Sequence, residues 1–162
     1  MIFGKKKQIL ATGAAAPDFT LPLLNGGEAS LSQIIDGHGA LLAFFKISCP
    51  VCQLTLPYLQ RIHSAGTIPV YGVSQNDAAD TLDFTQRYQL SIPILLDPEK
   101  SFPVSNSYGI SSVPTLFLVD AAGSIARVIE GWRKPEIVWL GGQAQAGSIF
   151  TQQDRVPEWK AG

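Results

Sequence analysis

The sequence predicts an α/β domain in which helices flank a mixed central sheet, and three observations lead to this prediction. Apolar runs of strand length recur along the chain, segments with helical spacing separate most of them, and a three-residue turn joins the last two runs. Parallel strands need a crossover helix, whereas a short turn gives an antiparallel pair, so the sheet should contain both arrangements. The length of 162 residues fits a single domain with a large core.

The first third of the chain predicts a hairpin followed by a buried strand. Residues 16–24 alternate between apolar and polar side chains, and the Asn-Gly-Gly sequence of residues 25–27 is typical of a hairpin turn. Residues 28–31 should return along the first strand, and residues 31–35 should form one short helical turn. Residues 40–45 are continuously apolar, which favours a strand that is buried on both faces.

The rest of the domain is expected to alternate helices and strands. Residues 50–64 predict a helix, and Pro57 should introduce a kink in it. Residues 77–88 predict an amphipathic helix, with Leu82 and Phe84 facing inward. The remaining predicted strands span residues 68–74, 94–97, 115–120 and 125–130, and the remaining predicted helices span residues 101–108 and 135–142.

These elements place one domain over residues 13–142, with a short segment on either side. Residues 1–12 are expected to form a flexible leader, and only residues 9–11 of it are continuously apolar, fewer than the roughly 7–15 that a signal peptide needs. We therefore expect a cytoplasmic protein, and the alternative is an exported protein whose leader has been removed or is absent from this sequence. Residues 143–162 are polar and rich in Gly and Gln, which predicts an extended or partly disordered C-terminal extension.

Two of the three tryptophans, Trp132 and Trp159, lead to predictions about packing. Trp132 is expected to cover an edge of the sheet, because large aromatic side chains dominate cores; the alternative is that it lines a substrate groove. Trp159 lies within the polar extension, and docking of its side chain onto the domain is left open.

The composition excludes two classes of partner. The net charge is −1, so the chain offers no basic surface that would favour binding to nucleic acid. No apolar stretch approaches the roughly 18–20 residues of a membrane-spanning helix, so no membrane span is expected.

The two cysteines, Cys49 and Cys52, are separated by two residues, between the apolar run and the helix that follows it. A C-x-x-C sequence at this place is typical of a redox dithiol. A tetrahedral zinc site needs four ligands, and the chain offers no second C-x-x-C and only His38 and His63, so no metal is expected. We also expect no cofactor beyond the redox-active disulfide formed by Cys49 and Cys52.

The position of each cysteine suggests its role. Cys49 should lie at the N-terminus of the helix, where free N–H groups and the helix dipole favour a thiolate, and it is expected to be the attacking thiol. Cys52 should lie close to Cys49 on the helix, within reach of a disulfide, and is expected to be the resolving thiol. Pro50 suits the first helical position, because a backbone N–H at that position has no acceptor within the helix and proline lacks this N–H.

Several separated motifs resemble the thioredoxin superfamily. They are the Phe-Phe-Lys-Ile-Ser-Cys-Pro-Val-Cys sequence of residues 44–52, the Leu-Pro pair of residues 56–57 and the segment of residues 108–120, which includes Val-Pro-Thr. The Ala-Pro-Asp-Phe-Thr-Leu sequence of residues 16–21 is similar to the TlpA/ResA-like and AhpC/TSA (redoxin) branch of that superfamily. The resemblance covers about residues 13–140.

The resemblance implies a thioredoxin-like three-layer sandwich with an N-terminal β-hairpin extension. It implies a thiol–disulfide oxidoreductase that exchanges with protein thiols or disulfides and is served by a dithiol reductant. It also implies that Pro114 follows a cis peptide bond and faces the dithiol, and that the backbone of Val113 pairs with an extended substrate peptide.

The chain departs from the family pattern at three positions. Ala43 stands where thioredoxins carry a buried acid, and Thr55 stands where ResA-like proteins carry an acid after the second cysteine. Lys46, three residues before Cys49, is either a cation that favours the thiolate or a solvated lysine at the end of a strand.

A peroxiredoxin-like thiol peroxidase is the main alternative function, and a copper-delivery module is a second one. Peroxiredoxins carry P-x-x-x-[TS]-x-x-C, and this motif is broken here because Leu42 and Lys46 stand at its first two fixed positions. The arginine of that family is replaced by Pro114. Copper-delivery proteins of the Sco type use C-x-x-x-C and a histidine late in the chain, whereas the spacing here is one residue shorter and both histidines lie early.

Overall fold

The computed structural model describes residues 8–162 and contains the mixed central sheet that the sequence predicts. The strands are β1 (Thr20–Pro22), β2 (Glu28–Ser30), β3 (Ala40–Phe45), β4 (Val70–Ser74), β5 (Ile94–Leu96), β6 (Thr115–Val119), β7 (Ile125–Glu130), β8 (Trp132–Arg133) and β9 (Trp159–Lys160). The helices are α1 (Leu31–Ile34), α2 (Pro50–Ala65), α3 (Ala78–Arg87), α4 (Pro103–Ser107) and α5 (Lys134–Gln143). Within the described residues, no helix is both long enough and apolar enough to cross a membrane.

The central sheet has the strand order β5-β4-β3-β6-β7. β3 lies in the middle, parallel to β4 and antiparallel to β6, and all six of its residues are buried. Successive side chains of a strand point to opposite faces. The ring of Phe44 accordingly contacts Tyr108 and Phe117, whereas the ring of Phe45 contacts Phe84 of α3 on the other face. The continuous apolar run in the sequence therefore becomes the centre of the core.

The N-terminal hairpin is confirmed. β1 and β2 pair antiparallel, with Leu21 opposite Ala29, and the predicted turn lies between them. The first helix begins with a capping box, in which Ser30 accepts from the backbone N–H of Gln33 while the side chain of Gln33 accepts from the N–H of Ser30. The hairpin thus leads directly into α1 and from there to the centre of the sheet.

The predicted orientation of α3 is wrong for Leu82 and right for Phe84. Thr81, Phe84 and Thr85 are the buried side chains of this helix, whereas Leu82 is 42% exposed. Residues three and four apart share one face of a helix, but Leu82 lies two positions before Phe84 and so points away from it. Two apolar side chains at that spacing cannot both face the core. Asp77 caps the helix by accepting from the N–H of Asp80.

The C-terminal extension is packed on the domain, which agrees with the extended alternative of the prediction and differs from the partly disordered one. Asp154 forms a two-pronged salt bridge with Arg61 of α2, with a shortest N–O distance of 2.7 Å. The ring of Phe150 stacks on Tyr58, also on α2, with the ring centroids 4.9 Å apart. These partners lie about ninety residues earlier in the sequence, where local composition gives no sign of them.

Trp132 joins the extension to the domain. Its indole is fully buried, its ring contacts Tyr58, and its Nε1 donates to the carbonyl oxygen of Pro157 at 2.6 Å. Trp132 therefore belongs to the core and does not line an open groove. The backbone of β8 also pairs antiparallel with β9, so the segment around Trp159 docks through its backbone while the indole stays 58% exposed.

The described part of the predicted leader also lies against the domain. The N–H of Leu10 donates to the carbonyl of Tyr108 at 3.2 Å, and the N–H of Gly13 donates to that of Ile125 at 2.8 Å. Residues 8–12 are therefore attached to the domain, which differs from the predicted free leader. Residues 1–7, to which the rest of that prediction applies, lie outside the described residues.

Candidate active site

Cys49 lies at the N-cap of α2, in the short segment that connects the end of β3 to this helix. Its Sγ accepts a hydrogen bond from the backbone N–H of Cys52 at 3.1 Å, and Pro50 follows as the first helical residue. The first N–H groups of a helix lack partners within the helix, so a sulfur at this place provides one of them with an acceptor. Cys49 remains partly exposed. This sulfur is therefore both within reach of a partner and placed where negative charge is favoured.

Cys52 is fully buried in the first turn of the same helix. Burial raises the pKa of its thiol strongly, and the hydrogen bond with Cys49 raises it further. The backbone N–H and the charge of Lys46 act in the opposite direction and are the smaller effects. Both cysteines are free thiols. The two sulfurs are thus adjacent but unequal, one accessible and one held protonated in the core.

The Val113–Pro114 peptide bond is cis, as the family resemblance implies. The thiol of Cys49 lies 3.5 Å from the carbonyl oxygen of Val113, two residues before β6 begins. The fold therefore brings together the four residues that the sequence singled out, Cys49, Cys52, Val113 and Pro114, from positions more than sixty residues apart. Pairing between the Val113 backbone and a substrate peptide remains a prediction.

A small cleft opens beside the dithiol. Its volume is about 170 Å³, and it shares the backbone of Val113 with the active site. Lys46 is exposed at the rim of this cleft, with its Nζ 5.9 Å from the centre of the Phe102 ring. The interpretation of Lys46 as a solvated lysine therefore agrees with the structure, and its charge has a small lowering effect on the pKa of the buried Cys52, whereas an effect on Cys49 stays a prediction. The remaining lining residues are Gln75, Ser105, Asn106, Ile110, Ser111 and Ser112.

The two positions at which acids are missing are filled by buried, satisfied side chains. Ala43 is fully buried in β3, and Thr55 is fully buried in α2, where its hydroxyl donates to the carbonyl of Val51 at 2.7 Å. Neither position carries a carboxyl group that could exchange a proton with Cys52.

The histidines take no part in the site. The Nδ1 of His63 accepts from the backbone N–H of Val70 at 3.1 Å, and burial lowers the pKa of this imidazole. The ring of His38 contacts the carbonyl oxygen of Gly39. Among residues 8–162, no group of three or more His, Cys, Asp and Glu side chains is placed to hold a metal ion.

Sequence reasoning missed the C-terminal segment of residues 159–162, which reaches the same loop. A Cβ atom added at Gly162 would collide with the carbonyl oxygen of Val113, and one added at Gly131 would lie 2.6 Å from the carbonyl oxygen of Lys160. The polar composition of the extension carries no signal of this position. Trp159 was the one residue there that suggested docking.

Comparison with known proteins agrees with this geometry. Residues 12–128 match the model of the AhpC/TSA family. The chain is 31% identical over 133 residues to the thiol-disulfide oxidoreductase ResA of Geobacillus thermodenitrificans, and the match covers 80% of this chain and 75% of that protein. It is 28% identical over 130 residues to the ResA protein of Bacillus subtilis, covering 77% and 70% of the two chains.

Solved structures show the same fold. The thioredoxin domain of a thiol-disulfide oxidoreductase from Bacteroides vulgatus superposes with a TM-score of 0.73 at 25% identity, covering 85% of this chain and 99% of that one. A thio-disulfide isomerase from Thermus thermophilus gives a TM-score of 0.66 at 22% identity, covering 86% and 99%. The predicted thioredoxin-like fold is thus confirmed.

Proposed function

This chain belongs to the AhpC/TSA family and is a thiol–disulfide oxidoreductase of the thioredoxin-like type, and we propose that Cys49 and Cys52 carry its exchange reaction. The observation that supports these roles best is the inequality of the two sulfurs. Cys49 is accessible at the helix N-cap, whereas Cys52 is fully buried with a raised pKa. The accessible sulfur is suited to attack and the buried one to resolution.

The proposed reaction has two steps. The Cys49 thiolate attacks one sulfur of a partner disulfide, a mixed disulfide forms, and the other partner sulfur leaves as a thiolate that takes up a proton. Cys52 then loses its proton and attacks the Sγ of Cys49. The second partner thiolate leaves, and the protein retains a Cys49–Cys52 disulfide. Two electrons have passed to the partner, and the reverse sequence oxidises a partner dithiol.

We propose that the partners are proteins that carry thiols or disulfides, together with a dithiol that restores the reduced pair. The family supports protein thiols as partners. The redox-active group in this proposal is the cysteine pair itself, with no further cofactor. Cys49 is only partly exposed and lies against Val113. The reacting sulfur of the partner must therefore lie in a segment of the partner that is itself accessible.

The buried position of Cys52 makes the resolving step the one that depends on the fold. The thiol has to lose its proton while α2 and the core surround it, and negative charge in such a place is costly. As Cys49 becomes bonded to a partner it no longer carries charge of its own, which removes the hydrogen bond that raises the pKa of Cys52. We therefore expect formation of the mixed disulfide to favour ionisation of Cys52.

Two serine variants test the roles. Cys49→Ser should abolish reduction of a protein disulfide, because the attacking sulfur is lost. Cys52→Ser should instead accumulate a mixed disulfide with the partner, visible on a non-reducing gel and by mass spectrometry. If Cys49→Ser retained full activity, or if the two variants trapped partners equally, the assigned roles would be wrong.

A redox titration tests the pair as a whole. The reduced and oxidised fractions are measured by alkylation and mass spectrometry after equilibration in thiol–disulfide buffers. A potential near about −270 mV would mark a reductant, and one between about −120 and −180 mV would mark an oxidant or isomerase. If no Cys49–Cys52 disulfide formed at any buffer potential, the proposed function would be overturned.

A further inference from the structure

The last residues of the chain form an added strand beside the active-site loop. β9 pairs antiparallel with β8, with Trp132 opposite Lys160 and Arg133 opposite Trp159. The N–H of Lys134 also donates to the carbonyl of Glu158 at 2.9 Å. We call residues 159–162 the tail strand. Its first two residues are β9, which together with β8 forms a two-stranded sheet separate from the central one.

Beyond β9 the tail strand runs onto the cis-proline loop. Gly162 lies so close to the carbonyl oxygen of Val113 that a Cβ atom at this position would collide with it. The same oxygen lies 3.5 Å from the Sγ of Cys49. One backbone oxygen is therefore in contact with both the candidate nucleophile and the tail strand.

The tail strand is held there by backbone rather than by its side chains. Trp159 is 58% exposed, and Lys160, Ala161 and Gly162 are exposed as well. A Cβ atom at Gly131 would lie 2.6 Å from the carbonyl oxygen of Lys160, so this close approach is between main chains. Contacts of this kind are made by the main chain of any extended segment and are the basis of recognition by strand addition.

The remainder of the extension is anchored independently of the tail strand. Asp154 is tied to Arg61 by two hydrogen bonds, and Pro157 accepts from the buried indole of Trp132. After these contacts, the chain is attached through the exposed two-residue pairing of β9 with β8 and the approach of Gly162 to Val113. Release can therefore be confined to residues 159–162, while the extension up to Glu158 stays in place.

We propose that the tail strand occupies the surface on which an extended segment of a substrate polypeptide binds, along β8 and the backbone of Val113, and that such a substrate displaces it. The proposal rests on the proposed function, because it takes Cys49 as the sulfur that the substrate must reach. It makes the tail strand an intramolecular competitor of an extended segment that pairs along β8, and it leaves the reaction of Cys49 with a small disulfide, which does not need that surface, nearly unaffected.

The test compares the full chain with a variant that lacks residues 159–162. Both proteins, in the reduced state, react with a labelled extended peptide that contains a disulfide and, separately, with hydroxyethyl disulfide, which is too small to pair along β8. The deletion should raise the rate with the peptide by roughly three- to tenfold, since it removes a competitor held by a few hydrogen bonds. The rate with hydroxyethyl disulfide should change by less than about twofold, a factor below one net hydrogen bond.

Two further measurements keep the result interpretable. Lys160→Ala is the matched control, because it keeps the tail-strand backbone and should react with the peptide at the rate of the full chain. A synthetic peptide of residues 156–162, added to the deletion variant, should lower the peptide rate again. This competition does not depend on any change in stability that the deletion causes, which thermal unfolding of the two proteins would reveal.

Each outcome decides the proposal. An unchanged or lower peptide rate after deletion would overturn it, and so would an equal rise with both disulfides, since that would show altered thiol reactivity rather than an uncovered surface. A peptide rate in Lys160→Ala as high as that of the deletion variant would overturn the claim that the backbone holds the tail strand. If neither the full chain nor the deletion variant reduced either disulfide, the proposed function itself would have failed, and that result differs from all the others.

Discussion

The dithiol and the C-terminal extension meet at the carbonyl of Val113, but they are held there by different forces. The dithiol lies on a helix whose inner side, including Cys52, Leu56 and Leu59, is buried against the sheet. The extension, residues 143–162, contributes Ala144 and Ile149 to the core, and beyond Ile149 it is attached through a salt bridge, one indole hydrogen bond, a ring contact and a two-residue strand pairing. The dithiol is therefore fixed by burial, whereas the part of the extension beyond Ile149 is fixed by separate contacts.

This difference matches what each region has to do. Disulfide exchange requires the two sulfurs to stay within bonding reach of each other, and a packed core provides that constancy because its side chains interdigitate without voids. A surface that a partner must occupy has to be released at small cost, and single hydrogen bonds and exposed ion pairs contribute about 0.5–1.5 and 0–1 kcal/mol each. Changes in the two regions should therefore differ in size, in pH dependence and in what they expose.

The largest expected effect is a core substitution beneath the dithiol. Leu56→Ala should lower the free energy of unfolding by about 2–5 kcal/mol, because Leu56 is fully buried and its loss leaves a cavity. Chemical denaturation of the reduced protein measures this. Leu82→Ala is the matched control, since Leu82 is 42% exposed and on a helix, and it should change the free energy little. Equal effects in the two variants would contradict the contrast between burial and exposure.

The second effect is a loss of stability at alkaline pH that originates at Cys52. Because burial raises the pKa of Cys52 in the folded state, the unfolded chain releases this proton first as the pH rises. The contribution of Cys52 to the free energy of unfolding is fully present below the ordinary cysteine pKa of about 8.5. Above that pH, the free energy of unfolding should fall by up to about 1.4 kcal/mol per pH unit.

Unfolding of the reduced protein and of Cys52→Ala, compared at several pH values from neutral to alkaline, isolates this effect. Tyr108 also has a pKa raised by burial and contributes to both proteins, so the difference between them reports Cys52. Parallel pH profiles for the two proteins would contradict the buried, protonated state of the thiol.

The third effect loosens the extension at Trp132. Trp132→Phe keeps an aromatic ring in the core but removes the hydrogen bond to the carbonyl of Pro157, whose loss should cost about 0.5–1.5 kcal/mol in addition to the cost of the smaller buried ring. Trypsin should then cleave after Arg155 faster than in the unaltered protein, as mass spectrometry of timed samples would show. Trp139→Phe is the control, because that indole contacts Arg127 of β7, and it should leave the cleavage rate unchanged.

The smallest effect is electrostatic and appears at acid pH. The hydrogen bond from Arg61, followed by that from the backbone of Thr151, holds the pKa of Asp154 well below its usual range. The stabilisation from this carboxylate is present above the ordinary aspartate pKa of about 3.9 and is lost as the pH falls below it.

Asp154→Asn should therefore be slightly less stable than the unaltered protein at pH 7. The gap in unfolding free energy should narrow at acid pH and in high salt, which screens exposed charges. A gap that stayed constant across pH and salt would show that the side chain acts through packing rather than through its charge.

Much of the fold could be predicted because its signals are local. The run of residues 40–45 became β3 with the predicted bounds, and the helix after Cys49 began at Pro50 as expected. Apolar periodicity, a cap and a proline each act over a few residues, so the sequence itself contains them. The cysteine pair was found in the same way, as two side chains on the first turn of one helix.

Other features could not be predicted because the partners are distant or the elements very short. Strands of two residues, such as β8 and β9, have no periodicity, and their pairing joins Trp132 to Lys160, 28 residues later in the sequence. Leu82 looked like a core residue because it is apolar, but its helical phase relative to Phe84 places it outside. Polar composition suggested a loose extension because it shows nothing of a salt bridge to a distant helix.

The sequence by itself determined the class of fold, the order of its elements and the pair of sulfurs at the start of α2, because each depends on neighbouring residues. Only the tertiary structure decided that Cys52 is the buried partner, that Val113 lies against Cys49, and that the tail strand reaches the same carbonyl. Burial and backbone contact arise when distant segments pack together, so they are properties of the folded chain and not of any stretch within it.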